Sequence, residues 1–258
     1  MWLVLCPFQD ISALWAYQGL QNYLDNVQLV SAELLSYSLY WKHCLGQQGS
    51  YTEIHLGDGR TLHSDRINGV LNRISCISTE HLQHAQAGDR DYAIQELTAF
   101  FISWLNALPC KVFNRSTAQG LAGAWRHQSE WVWLAMQAGL STPVYRQSSQ
   151  ANQANQTNQT TGVYGQAGFS LVPASTVIVV GNQFCGALAP EPVLEGCWRL
   201  AQMAETPLLG VEFGPGWEFR TANPLPDLRL GQQAFLRHLS IELQKSGTSY
   251  DPSLRHPV

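Results

Sequence analysis

Charge is scarce in this chain. Only 13% of its 258 residues are Asp, Glu, Lys or Arg, against about a quarter in ordinary globular chains. Lysine is scarcer still: Lys42, Lys111 and Lys245 are all there are, so none lies between 111 and 245. The formal net charge is -4 and the pI about 6.0. That balance excludes electrostatic steering toward nucleic acid or an acidic membrane. No apolar run approaches the ~20 residues that span a bilayer. The opening MWLVLCPFQD has no basic stretch and too short an apolar one for a secretory signal. The six cysteines are spread without CxxC or other zinc spacing. There is no GxxxxGK[ST] or GxGxxG phosphate loop, no HExxH and no GxSxG. The eight histidines do not pair at ligand spacing on one clear face. These absences predict a cytoplasmic protein with reduced, mostly buried thiols. The glycosylation acceptor patterns at Asn155 and Asn158 are silent in that compartment.

What is present is apolar surface, 45% of residues, in a chain long enough for a sizeable core. The nine tryptophans are scattered, which fits core anchors. Trp125, Trp131 and Trp133 lie close enough together to form a self-association surface instead. The first part alternates strand and helix. Strands are expected at 2–8, 27–35 (strand or mixed), 67–74, 111–114 and 143–146. Helices are expected at 11–24, capped by Asp10, at 91–108 and at 123–140. Gly57-Asp58-Gly59 marks a hairpin between 52–56 and 60–63. This alternation predicts an α/β fold with a mainly parallel sheet.

Composition changes at 147. The run QSSQANQANQTNQTT cannot bury enough surface to offset its ordering entropy, and reads as a linker over 147–163. A second unit over 164–245 follows the first at 1–146, in the order β-β-α-β-β-α. A polar tail over 246–258 is expected to fray. The second unit centres on PLLGVEFGPGWEFRTANPLPDLRLG, where Gly214-Pro215-Gly216 joins two apolar runs into a hairpin. Glu212 stands near the end of one arm and Asn223 just after the other. Hard cations take carboxylate and amide oxygens, so the pair reads as a half-site for a metal–phosphate ligand. The plainer reading is a core hairpin with polar residues facing water. Arg126, Arg146, Arg220 and Arg229 are the candidates for an anion.

Several stretches together resemble the ATP-grasp superfamily, in its peptide-ligating branch. They are INGVLNRI at 67–74, WLNALPCKVFNR at 104–115, AMQAGLSTPVY at 135–145, TVIVVGNQFCGAL at 176–188, GVEF at 210–213 and FRTANPLP at 219–226. The resemblance implies a pre-ATP-grasp-like parallel-sheet domain followed by a reduced ATP-grasp-like unit. It also places Glu212 and Asn223 in the family's metal hairpin. The family carries Glu two residues before that Asn; this chain carries Thr221. The family's lysine-bearing nucleotide subdomain has no counterpart between 145 and 176. The resemblance therefore implies a shortened, degenerate member without cofactor. It would hold a peptide or partner protein, plausibly beside a modifying enzyme, with Glu212, Arg220, Asn223, Asp227 and Arg229 lining the site. The rival readings are a minimal ligase using ATP and magnesium through Glu212, Asn223, Asp227 and Arg229, and a structural homo-oligomer subunit.

Overall fold

The computed structural model describes residues 1–47, 49–83, 85–146 and 175–245. The expected linker at 147–163 and tail at 246–258 lie outside them. The elements are β1 (Trp2–Cys6), α1 (Ile11–Leu20), β2 (Val27–Ser31), α2 (Ala32–Ser36), β3 (Tyr40–Gly46), β4 (Gly49–His55), β5 (Thr61–His63), β6 (Gly69–Asn72), α3 (Ala87–Ala107), β7 (Lys111–Phe113), α4 (Gln128–Gln137), β8 (Ser175–Val180), β9 (Gln183–Gly186), α5 (Glu191–Met203), β10 (Leu208–Phe213), β11 (Phe219–Asn223) and α6 (Gln232–Gln244).

Among the described residues, three sheets result. The first is parallel, in the order β2-β1-β6-β7. Its strands are short apolar runs such as Trp2–Cys6, buried on both faces as parallel strands must be. Leu3, Leu5, Val70 and Val112 meet Phe101, Trp104 and Leu105 of α3 on one face. On the other face, Val4, Cys6, Leu71 and Phe113 share a core with Ala13, Ala16 and Leu20 of α1 and Phe235, Leu236, Leu239 and Leu243 of α6. The second sheet is antiparallel, β11-β10-β8-β9. Its Ile178, Val180 and Leu208 join that same core. Its opposite face, Val177, Val179, Leu209, Val211 and Phe213, packs on α4 and α5. The layers therefore run α3, parallel sheet, α1 with α6, antiparallel sheet, α4 with α5. The third sheet, β3-β4-β5, is an antiparallel excursion between α2 and β6.

Local chemistry sets the boundaries. Asp10 Oδ1 accepts from the Ala13 N–H at 2.9 Å and starts α1; Ser31 Oγ accepts from the Leu34 N–H at 3.0 Å and starts α2. Pro109 stops α3, and Arg115 satisfies its last carbonyls, donating to Leu105 O at 2.7 Å and to Asn106 O at 3.0 Å. Three expectations need correction. The helix expected at 123–140 is Gln128–Gln137, because His127 Nδ1 accepts from the Ser129 N–H and fixes the first turn there. The segment 143–146 has no strand partner among the described residues. The strand Tyr40–Gly46 was not expected at all.

All six cysteines are free thiols. Burial pushes the thiols of Cys6, Cys185 and Cys197 up to about 12 and that of Cys110 to about 11. The thiolate is the reactive form. These four are expected to resist iodoacetamide at neutral pH in the native protein and to react once it is unfolded, read by mass spectrometry of alkylated peptides.

Candidate functional site

The hairpin forms as the alternation predicts. β10 pairs with β11 through Gly210↔Asn223, Val211↔Ala222 and Glu212↔Thr221, with a register shift before Phe213↔Phe219. On its other side β10 pairs with β8, placing Glu212 beside Thr176. Side chains two apart share a face. Leu208, Gly210 and Glu212 thus turn toward the parallel sheet, while Leu209, Val211 and Phe213 turn toward α4 and α5.

Thr221 stands directly across from Glu212, and its hydroxyl donates to Gln128 Oε1 at 2.9 Å. The Gln128 amide in turn donates to Arg220 O at 2.6 Å. One glutamine at the start of α4 thereby ties the helix to the edge strand. Asn223 lies one same-face position further along β11, and its amide is committed locally. Its Oδ1 accepts from the Leu225 N–H at 2.8 Å, and its Nδ2 donates to Leu225 O at 3.2 Å. This is the turn that Asn before Pro favours.

That turn folds the loop at 223–226 back over β10. Gly210 makes room for it: a Cβ there would stand 2.6 Å from Pro226 Cβ. The loop is then bonded to the parallel sheet. Asn114, at the end of β7, donates from Nδ2 to Pro224 O at 2.6 Å and to Leu208 O at 2.9 Å, and accepts from the Leu208 N–H at 3.1 Å. Arg73, at the end of β6, donates to Pro226 O at 3.0 Å and pairs with Asp10 at 2.7 Å. The crevice beyond the carboxyl ends of parallel strands is where α/β sheets hold ligands. Here the chain's own loop fills it.

The other expected site residues sit in local settings of their own. Asp227 and Arg229 pair with each other at 2.7 Å within a short 3-10 turn, whose Leu228 N–H donates to Ser12 Oγ at 2.7 Å. The hydrogen bond from Arg229 holds the Asp227 carboxyl below the usual carboxylate range. Arg220 lies at the turn of the hairpin, where its Nε would be 3.0 Å from a Cβ on Gly214. Arg126 donates to Ala204 O at 3.0 Å and pairs with Glu130. Glu212 and Asn223 are therefore brought to one face, while Asp227 and Arg229 are engaged with each other.

Asn72, Arg73, Asn114 and Gln128 were missed as site-shaping residues. Asn72 donates to Asn114 O at 2.9 Å and Leu121 O at 2.7 Å. For all but Gln128 the signal was the Asn-Arg dipeptide repeated at 72–73 and 114–115, each at the end of a parallel strand. A separate surface lies on the far side of α4. Ser129, Val132, Trp133 and Met136 with the run 142–145 form an open groove. Trp131 is buried, but Trp133 is 54% exposed.

No protein-family model matches the sequence, and no curated protein matches it. Solved structures match in fold. Macrocyclase MdnC of Microcystis aeruginosa MRC, bound with precursor peptide MdnA, aligns with a TM-score of 0.65 at 14% identity, covering 93% of this chain and 97% of its own. A RiPP-associated ATP-grasp ligase of Chryseobacterium gregarium, in complex with ADP and a leader and core peptide, gives 0.67 at 10% identity, over 94% and 96%. ATP-grasp ligase PsnB, complexed with minimal precursor, Mg and ADP, gives 0.61 at 13% identity, over 95% and 98%. The α/β chain described here has an ATP-grasp-like fold.

Proposed function

We propose that this chain is a peptide-binding, non-catalytic ATP-grasp-like protein that serves as an accessory factor beside an active modifying enzyme. The observation that carries the reading is the Glu212–Thr221 rung. Magnesium between phosphates is held by carboxylate and amide oxygens. At this rung one side is a hydroxyl already bonded to Gln128. The neighbouring Asn223 amide is turned into its own loop. Among the described residues, no three His, Cys, Asp or Glu side chains are grouped so as to hold a metal ion. Phosphoryl transfer also needs cations around the transferring group. The sequence places no lysine between 111 and 245, and Arg229 is paired with Asp227. The residues present do not fit a magnesium–nucleotide group.

Support for a peptide comes from the fold. The matching structures named above were solved with precursor, leader or core peptides. The groove beside α4 exposes Trp133, Met136 and Val144, an apolar strip that would suit such a partner.

Isothermal titration with ATP and magnesium is expected to give no heat of binding. Micromolar affinity would overturn the non-catalytic reading and restore the minimal ligase. In that case Glu212→Gln should abolish whatever turnover is found.

A further inference from the structure

We propose that β3 pairs antiparallel with β3 of a second copy of this chain, joining two three-stranded sheets into one of six. Among the described residues, β3 is the outermost strand of its sheet, and it pairs with β4 without interruption from Tyr40 to Gly46. An edge of this length presents a row of unpaired backbone groups. Proteins usually blunt such edges with proline, a bulge, or several charges. β3 has no proline and no bulge, and Lys42 is its one Lys, Arg, Asp or Glu. Its apolar side chains are in the open: Tyr40 is 50% exposed and Leu45 is 65% exposed.

The strand is also held in place. Trp41 stacks on Phe100 of α3 with ring centroids 3.8 Å apart. The His43 ring is fixed at both nitrogens, 2.7 Å from Thr52 Oγ1 and 2.8 Å from Ser103 Oγ. Pairing would therefore lose little conformational entropy.

The residue pattern favours its own copy as the occupant. A two-fold axis at His43 sets Trp41 opposite Leu45 of the second copy, Lys42 opposite Cys44, and Tyr40 opposite Gly46. The first is an apolar cross-strand pair on the α3 side of the sheet. The last places a tyrosine where Gly46 and Gly49 leave a concavity at the hairpin end, bounded by Cys44, Leu45, Ser50 and Tyr51. An axis at Lys42 would instead set two like charges face to face, which is destabilising. The two His43 rings at the proposed axis do not repel in this way at neutral pH, because burial holds the His43 ring below the ordinary histidine range. A two-fold contact of this kind is self-complementary and closed, as most soluble dimers are.

The test uses the full chain. Sedimentation equilibrium is expected to give a dimer at micromolar concentration, and a monomer throughout that range would overturn the proposal. Lys42→Cys should form a disulfide with Cys44 of the second copy under mild oxidation, found as a 42–44 crosslinked peptide. Wild type, whose Cys44 residues are out of register with each other, should not link. No crosslink, or the same crosslinking as wild type, would overturn the register. Leu45→Lys should weaken the dimer roughly tenfold or more, and a folded Leu45→Lys that dimerises normally would sink the idea. If that variant misfolds, the Lys42→Cys result still decides. Trp133→Lys should leave the dimer intact. Dissociation by Trp133→Lys, or a peptide found along β3 of a monomer, would assign the contact elsewhere.

Discussion

Arg73→Ala is expected to destabilise the protein by about 3–5 kcal/mol, a large part of the 5–15 kcal/mol typical of a folded chain. The Arg73 and Asp10 side chains are 5% and 15% exposed. Solvent therefore screens the pair little, and removing the guanidinium leaves a carboxylate near the interior without its cation. The same change strips Pro226 O of its donor. Urea denaturation should show a lower midpoint at an unchanged slope, the mark of lost stability without a change in the surface exposed on unfolding. Asp10→Asn keeps an acceptor for the Ala13 N–H, and so should retain the start of α1 while losing the ion pair. The double variant should lose less than the sum of the two, since both report one interaction. Additivity would mean that the pair contributes no coupling.

Asn114→Ala is expected to cost about 2–4 kcal/mol, because it leaves buried partners unsatisfied at about 1–3 kcal/mol each. Three bonds disappear, two of them to Leu208, which is fully buried. The readout that singles out this junction is hydrogen exchange. The Leu208 amide should lose its protection, while amides in the middle of β1 and β6 keep theirs relative to global unfolding. Asn114→Asp preserves shape but replaces two donors with acceptors facing carbonyls, so it should be at least as damaging. A wild-type exchange rate at Leu208 in Asn114→Ala would show that the bonds to Asn114 do not hold the loop at 223–226 against β10.

Much of the fold is legible in the residues. Ser175–Val180, Leu208–Phe213 and Gln232–Gln244 fall where the apolar patterns place them, since each buries a clear face or run. β3 escapes notice because six of its seven residues are exposed, so it has no inside and outside to alternate. The helix expected to open at 123 was misplaced because a histidine cap is a weak signal beside the usual Ser, Thr, Asp or Asn. At the hairpin, the sequence reading places Glu212 and Asn223 together, and the register does bring them to one face. The Asn-Pro pair at 223–224 is itself a local signal for the turn that takes up the Asn223 amide. The sequence reading could not show that Gln128, far away in the chain, would take the Thr221 hydroxyl, a tertiary choice that short-range patterns do not encode.

The shared core of α1 and α6 bears on biosynthesis. Leu236 of α6 lies against Gly19 of α1 so closely that a methyl group at position 19 would collide with it. Val4, Cys6, Leu71 and Phe113 are thus covered in part by the last helix described. During translation the parallel sheet can be made long before residue 232 leaves the ribosome, yet one of its apolar faces stays incompletely covered until then. The nascent chain would therefore carry an exposed, aggregation-prone surface from the completion of β7 until α6 emerges. Its completion would be a late event that closes both sheets at once.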